Sequence, residues 1–260
     1  MSWWGKLVGG ALGFAIGGPL GAILGATVGH NFDRPEGSGA ATLEGPERTQ
    51  TAFFTATFSV MGHMAKADGK VTQDEIQMAG RVMEQMGLDE ALRHFARQLF
   101  SAGKADDFPL DAVLQQLRSE TRSRNLLRMF LEIQVYAAYA DTRMHPQEKR
   151  LLEHLCVQLG FPSSTLSQIE SLVEAELNNA GMETAGSSAA ALADAYQLLG
   201  INTDCTDAEL KRAYRRLMSQ HHPDKLVAQG LPEEMMKLAT AKTQEIKAAY
   251  ERVREARGRS

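Results

Sequence analysis

Residues 209–225 read ELKRAYRRLMSQHHPDK. Leu210, Ala213, Tyr214 and Leu217 recur at helical spacing and make one apolar face, while Lys211, Arg212, Arg215 and Arg216 fill the rest. Just upstream, Thr206-Asp207-Ala208-Glu209 is a capping box: the threonine caps the first turn and the glutamate reaches back to it. At the far end comes His222-Pro223-Asp224, followed by Lys225. Pro223 fixes φ and stiffens the chain there. Further on, Pro232 suits the first position of another helix. That helix would present Met235, Leu238, Ala241, Ile246, Ala249, Tyr250 and Val253. A short helix, ADAYQLLG at 193–200, precedes the unit and stops at Gly200. The expected structure is a pair of antiparallel helices around one narrow core, with His222-Pro223-Asp224 in the joining loop.

The rest of the chain also reads as helix. Residues 51–178 carry apolar positions at i, i+3 and i+4, as at Leu126, Leu127, Phe130, Leu131 and Ile133 to Val135. Within them, 64–88 (MAKADGKVTQDEIQMAGRVMEQMGL) align with 137–161 (AAYADTRMHPQEKRLLEHLCVQLGF). Ala67/Ala140, Asp68/Asp141, Glu75/Glu148, Gln85/Gln158 and Gly87/Gly160 coincide, so the bundle is expected to repeat itself internally. Residues 35–50 and 179–190 are rich in Gly, Pro and small polar residues and read as linkers. The units are therefore 1–34, 51–178 and 191–260, and the fold class is all-α.

Residues 7–28 (LVGGALGFAIGGPLGAILGATV) hold no charge. At about 1.5 Å per residue such a helix covers roughly 33 Å, enough for a hydrocarbon core of about 30 Å. Trp3 and Trp4 stand at the edge, where interfacial indoles belong. The reading is a retained transmembrane helix, and a cleaved signal peptide is the alternative. Glycines at 5, 9, 13, 17, 21, 25 and 29 recur every fourth residue. On one helix they line a shared face, and Gly9, Gly13, Gly17, Gly21 and Gly25 become a homodimer seam of the GxxxG kind. Pro19 is expected to kink this helix.

Composition excludes several classes. A formal net charge of −4 gives no general affinity for nucleic acid. Two cysteines, Cys156 and Cys205, with no CxxC pair exclude a disulfide framework or a zinc ribbon. No nucleophile–base arrangement and no phosphate-binding loop is visible, so the chain reads as neither an enzyme nor a binder of a small-molecule substrate or cofactor.

The pieces DAYQLLGI (194–201), ELKRAYRRLMSQHHPDK and QEIKAAYE (244–251) lie in the order of a J domain, and the C-terminal unit resembles that of the DnaJ family. The resemblance implies that His222, Pro223 and Asp224 trigger ATP hydrolysis by an Hsp70 (DnaK) partner. It also implies that Lys211, Tyr214, Arg215, Arg216 and Lys225 help to dock that partner. A row of cations on a helix suits an acidic patch, with attraction that weakens in salt. Two departures stand out: the stretch LVAQGLPEEMM after the motif is long, and Thr243 stands where many members carry phenylalanine. No glycine/phenylalanine-rich or β-rich client-binding segment follows.

The middle unit resembles the TerB-like family, known from tellurite-resistance proteins, through its two acidic turns. The whole order of anchor, TerB-like bundle and terminal J domain is similar to the DjlA-type, membrane-anchored DnaJ-like co-chaperones of Gram-negative bacteria, with WWGKLVG, GHNFD, RMFLEIQ and HHPDKLVAQGLPEEMM in support. This implies an inner-membrane protein with a short periplasmic N-terminus, its bulk in the cytoplasm, and a link to envelope or capsule signalling. Charge alone points the other way, since Lys6 and the α-amino group favour a cytosolic N-terminus. The need to meet ATP-charged Hsp70 decides for a cytosolic C-terminus.

The acidic turns match only the second half of an EF-hand loop, because Met64 and Lys66, or Ala137 and Tyr139, stand at the leading ligand positions. A divalent ion shared by Asp68, Glu75, Asp141 and Glu148 is one reading. Helix capping by acids near N-termini is the favoured one. The functional expectation is a membrane-localised Hsp70 co-chaperone. Its rival is an envelope-stress adaptor acting mainly through the TerB-like unit, and a metal-responsive sensor rests on the acidic turns alone.

Overall fold

The computed structural model describes residues 17–29, 45–67, 69, 73–139, 144–181 and 188–258, and every regular element among them is helical. In order these are α1 (Gly18–Gly29), α2 (Pro46–Ala65), α3 (Gln73–Gln85), α4 (Glu90–Gly103), α5 (Leu110–Glu120), α6 (Arg124–Ala138), α7 (Pro146–Gln158), α8 (Ser163–Gly181), α9 (Ser188–Leu199), α10 (Asp207–His221), α11 (Pro223–Ala228) and α12 (Met236–Gly258). Helix α2 thus begins inside the stretch 35–50, and α8 and α9 both enter the stretch 179–190.

Helix α2 is the axle of the bundle. It packs against α1, α4, α5, α6 and α7, and nearly every residue from Gln50 to Ala65 is buried. A helix surrounded on all sides must satisfy its polar side chains internally. The hydroxyls of Thr51, Thr57 and Ser59 do so by donating to the carbonyls of Glu47, Phe53 and Thr55 at 2.8, 2.7 and 2.7 Å. Gln134 on α6 donates to the Thr57 carbonyl at 3.0 Å. Phe53, Phe54, Phe58 and Phe130 fill the centre.

Helices α2 and α4 meet backbone to backbone. A Cβ at Gly62 would lie 1.9 Å from the Phe100 carbonyl oxygen, and one at Gly103 would lie 1.8 Å from that of Ser59. Only glycine permits this crossing.

The internal repeat is visible where it ends. Gly87 closes α3 and Gly160 closes α7, with φ of 72° and 77°. After each glycine the next amide reaches back five residues, Leu88 to Met83 at 3.2 Å and Phe161 to Cys156 at 2.9 Å. Both are Schellman stops, in which the left-handed residue satisfies the last carbonyls of the helix.

The apolar N-terminal run differs from its expectation. Its first part, with Gly9 and Gly13, lies outside the described residues. Gly17 and Gly18 both take φ of 62°, so no single helix passes through them, and α1 begins at Gly18. Pro19 therefore opens a helix instead of kinking one, which is where its missing N–H costs nothing. Among the described residues no helix is long and apolar enough to cross a membrane. Leu20, Ile23 and Leu24 are buried in the core cluster of the bundle. Gln116 fastens the step before them, accepting from Leu20 N at 2.9 Å and donating to the Gly17 carbonyl at 2.8 Å. Of the expected glycine seam, Gly21 is buried and Gly25 is exposed.

Candidate functional site

The C-terminal helices make a hairpin with its own core. Leu198, Leu199, Leu210, Leu217, Ile246 and Val253 are buried together, joined by Leu172 from α8. The capping box that starts α10 is formed: Thr206 N donates to Glu209 Oε2 at 2.8 Å, and Glu209 N donates to Thr206 Oγ1 at 3.3 Å. With the apolar face turned inward, Lys211, Arg212, Arg215 and Arg216 are all exposed. Lys211, Arg215 and Arg216 form no ion pair among the described residues. From Lys211 to the end of α10 the cationic stripe runs about 15 Å at 1.5 Å per residue.

That stripe leads straight to the tripeptide. His222 leaves the helix with φ −61° and ψ 121°, and Pro223 opens the short helix α11. The residue before a proline is driven to this extended conformation by contact with the ring, so the sequence itself imposes the break. Asp224 and Lys225 are exposed; His222 and Pro223 are half-buried. Lys225 Nζ reaches back to Ser219 Oγ at 2.9 Å. The expected site residues thus run along α10 from its second turn to the loop at its C-terminal end. Tyr214 stacks on Tyr250, with ring centroids 4.3 Å apart, and lies half-buried against the hairpin core. Pro232 starts a single 3₁₀ turn, Glu233–Met235, and α12 begins only at Met236.

Two groups of residues were not visible in the sequence. The first seals the far end of the hairpin. Arg257 donates to the Tyr196 hydroxyl at 3.0 Å, to Asp207 Oδ1 at 2.9 Å and to the Thr203 carbonyl at 3.4 Å, and its guanidinium lies over the Tyr196 ring. These partners hold its pKa above the ordinary arginine value. The second group joins the loop to the bundle. His221 is 2% exposed, and its Nδ1 stands 3.6 Å from Glu132 Oε2 on α6. Glu132 also pairs with Arg128 at 3.0 Å. Lys242 on α12 belongs to this cluster; burial pushes its pKa down, opposed by Glu132 and Glu245. Leu226, Leu231, Met235 and Ala239 are fully buried, in the core cluster of the bundle and not of the hairpin. Ser123 Oγ donates to Gln229 Oε1, and Gly230, at φ 106°, backs onto Thr49. Beside the Glu132–His221 contact lies a cavity of about 270 Å³ lined by Ile133, Val173, His221, Leu238 and Lys242, among others.

Of the acidic turns, Asp68 and Asp141 lie outside the described residues, as does the side chain of Glu75. Glu148 is buried and accepts from His145 N at 2.8 Å, a capping role. No group of three potential metal ligands occurs among the described residues.

Three stretches of the chain match known families. Residues 1–50 match the family model of the co-chaperone DjlA transmembrane domain, residues 54–171 that of tellurite resistance protein TerB, and residues 194–260 that of the DnaJ domain. The chain is 44% identical over 267 residues to co-chaperone protein DjlA of Coxiella burnetii and 45% identical over 262 residues to that of Shewanella oneidensis. The DjlA of Vibrio cholerae is 42% identical over 282 residues. In each pair 99% of both chains is covered. No solved structure matches.

Proposed function

The chain belongs to the DjlA co-chaperone family, and on that premise we propose that it recruits an Hsp70 of the DnaK type to a membrane and stimulates that partner's ATP hydrolysis through His222, Pro223 and Asp224. The observation that carries this reading is the exposed stripe of Lys211, Arg215 and Arg216, which ends at an exposed Asp224. The stripe supplies steering and docking onto an acidic surface. Asp224 offers a carboxylate to a cation of the partner, and Pro223 keeps it at a fixed angle to α10. The hydrolysis itself is the partner's chemistry. Tyr214 contributes by holding α10 on α12 as well as through its exposed edge.

The anchor in this proposal is the apolar run 7–28, which in the bilayer closes the break at Gly17 and Gly18 into one helix, a single pass with a short periplasmic N-terminus and a cytoplasmic bulk; two such anchors pair through their glycine face. For Leu20, Ile23 and Leu24, entering the bilayer exchanges the apolar seat on the bundle for hydrocarbon, so their shielding from water is kept. The proposed units are an anchor with flanks at 1–34, a bundle at 51–178 and a J domain at 191–260. A link to envelope or capsule signalling fits a co-chaperone held at that surface.

The rival, an adaptor working mainly through the bundle, is supported by two apolar side chains left exposed there, Ile76 and Val157. One experiment separates the two: single-turnover ATP hydrolysis by the Hsp70 with added full-length chain, as wild type and as His222→Gln. The expected outcome is stimulation by the wild type and none by the variant. A folded wild type that gives no stimulation hands the lead to the adaptor.

A further inference from the structure

We infer that the TerB-like bundle holds the His222-Pro223-Asp224 loop in its working position, with Glu132, Ser123 and Leu231 as positioning residues for Hsp70 stimulation. The inference rests on the reading that this loop acts on an Hsp70.

The loop is fastened on both sides, and on both sides the fastening is the bundle. Before it, His221 is buried with Nδ1 facing Glu132. After it, Leu226 is fully buried in the bundle's core cluster. Only His222 to Lys225 lie between these two points. The last core residue that α10 contributes to the hairpin itself is Leu217, a full turn earlier. Within the hairpin α11 touches α10 and α12, but its one fully buried side chain, Leu226, belongs to the bundle's core cluster.

The chemistry of the first fastening suits orientation. Arg128, Glu132, His221, Lys242 and Glu245 are drawn from three helices, two of them in the J domain, and face one another at the junction. Glu245 is exposed and the other four are buried or half-buried; a shielded polar network of this kind contributes little net stability, but it tolerates one arrangement of its partners and penalises others. The second fastening is apolar and continuous. Leu226, Leu231, Met235 and Ala239 sit in the bundle core, Gly230 backs onto Thr49, and Ser123 binds Gln229. The unusually long stretch after the motif thereby acquires a purpose: it reaches the bundle.

The cations of α10 and the loop then do separable jobs. Lys211, Arg215 and Arg216 are exposed whether or not the clamp is closed, so docking is independent of it. The fraction of docked complexes whose loop is in place depends on the clamp, and maximal stimulation scales with that fraction.

The test uses the full chain in detergent micelles, with two readouts. Amide exchange over 222–231 reports the clamp without any Hsp70. Single-turnover hydrolysis across a range of co-chaperone concentrations reports its effect. For Glu132→Gln and Leu231→Ala, exchange over 222–231 is expected to rise while that of 195–217 stays constant. Maximal stimulation is expected to fall several-fold at an unchanged half-stimulating concentration, and Leu231→Met to restore it. Unchanged exchange in both alterations overturns the clamp. Raised exchange with full stimulation, or with higher stimulation, overturns the positioning role, as does a shift confined to the half-stimulating concentration. A wild type that closes the loop but never stimulates Hsp70 shows that the underlying functional reading has failed while the clamp stands.

Discussion

The two ends of the C-terminal hairpin are cut from the same two helices, yet they belong to different cores. At the end near Thr206, the first turns of α10 and the last turns of α12 close on each other and on α9, and Arg257 ties the seam to Tyr196 and Asp207. At the end near His222, the start of α12 and Leu226 of α11 are buried in the core cluster of the bundle, beside charged side chains and a cavity. The far end is a small domain of its own; the near end is a shared surface. The tripeptide stands on the border between them. A J domain need not be a bead on a string, and here one end of the hairpin is buried in the core of a neighbouring domain.

The comparison breaks most violently through the bundle. Gly103→Ala places a methyl group where the Ser59 carbonyl already stands, and because the obstacle is backbone, the helices must part. Overpacking of side chains costs about 1–3 kcal/mol, and a backbone clash at the centre of the bundle is expected to reach or exceed the upper figure. Helices α2 to α6 should lose protection from amide exchange, together with residues 226–239. The far core around Leu199, Leu210 and Val253 should keep its own. Thermal unfolding would then show two transitions. A single transition that takes both ends of the hairpin together would show that the two cores are one cooperative unit.

How much of this was legible follows from the range of the interactions. The helices, the capping box at Thr206 and the stop at Gly200 are local events between residues at most five apart, and spacing revealed them; Gly87 and Gly160 showed only as matching positions of the repeat. The break at 222–224 was legible because a proline after a helix imposes it. The clamp was not, since Glu132 and Ser123 lie about ninety to a hundred residues from the partners they meet, and nothing in their neighbours marks them. Arg257 looked like one more cation on a solvated helix end. The break at Gly17 and Gly18 was hidden by the regularity of the glycines around it, which reads as a face only while the helix is assumed unbroken. Gly62 and Gly103 carried no signal either, because a close crossing needs two glycines from different helices.

A smaller effect sharpens the far end. Arg257→Ala removes four hydrogen bonds, to Tyr196, Asp207, Thr203 and Cys205, and the stacking on Tyr196, but Asp207 is exposed and the fan is partly screened. Partly exposed pairs of this kind contribute about 1 kcal/mol or less, with the planar fork adding geometry that a lysine does not reproduce. Expected are a loss near that size confined to the hairpin transition, no change in exchange over 222–231, and no recovery in Arg257→Lys. Increased exchange at the clamp would mean that the two ends communicate along α12.

The smallest effect is a pH dependence that only the far end should possess. Glu209 is held below its ordinary value of 4.5, first by the Thr206 backbone N–H and then by the Thr206 hydroxyl, with a further contribution from Arg212. Its folded pKa is depressed, so between the folded and unfolded values the unfolded chain binds more protons. The stabilisation is therefore complete above the unfolded value and disappears as pH falls through the folded one. Acidification below about pH 4.5 should loosen the first turn of α10 in the wild type. In Glu209→Gln that turn should be weaker at neutral pH and nearly flat across the same range, because the amide cannot titrate. Exchange of the amides at 207–210, followed from pH 6 downward, measures it. A parallel acid response at 207–210 in wild type and variant would assign the loss to some other carboxylate. A response seen equally at 226–239 would mean that the border drawn at His222 does not isolate the hairpin's own cap from the bundle.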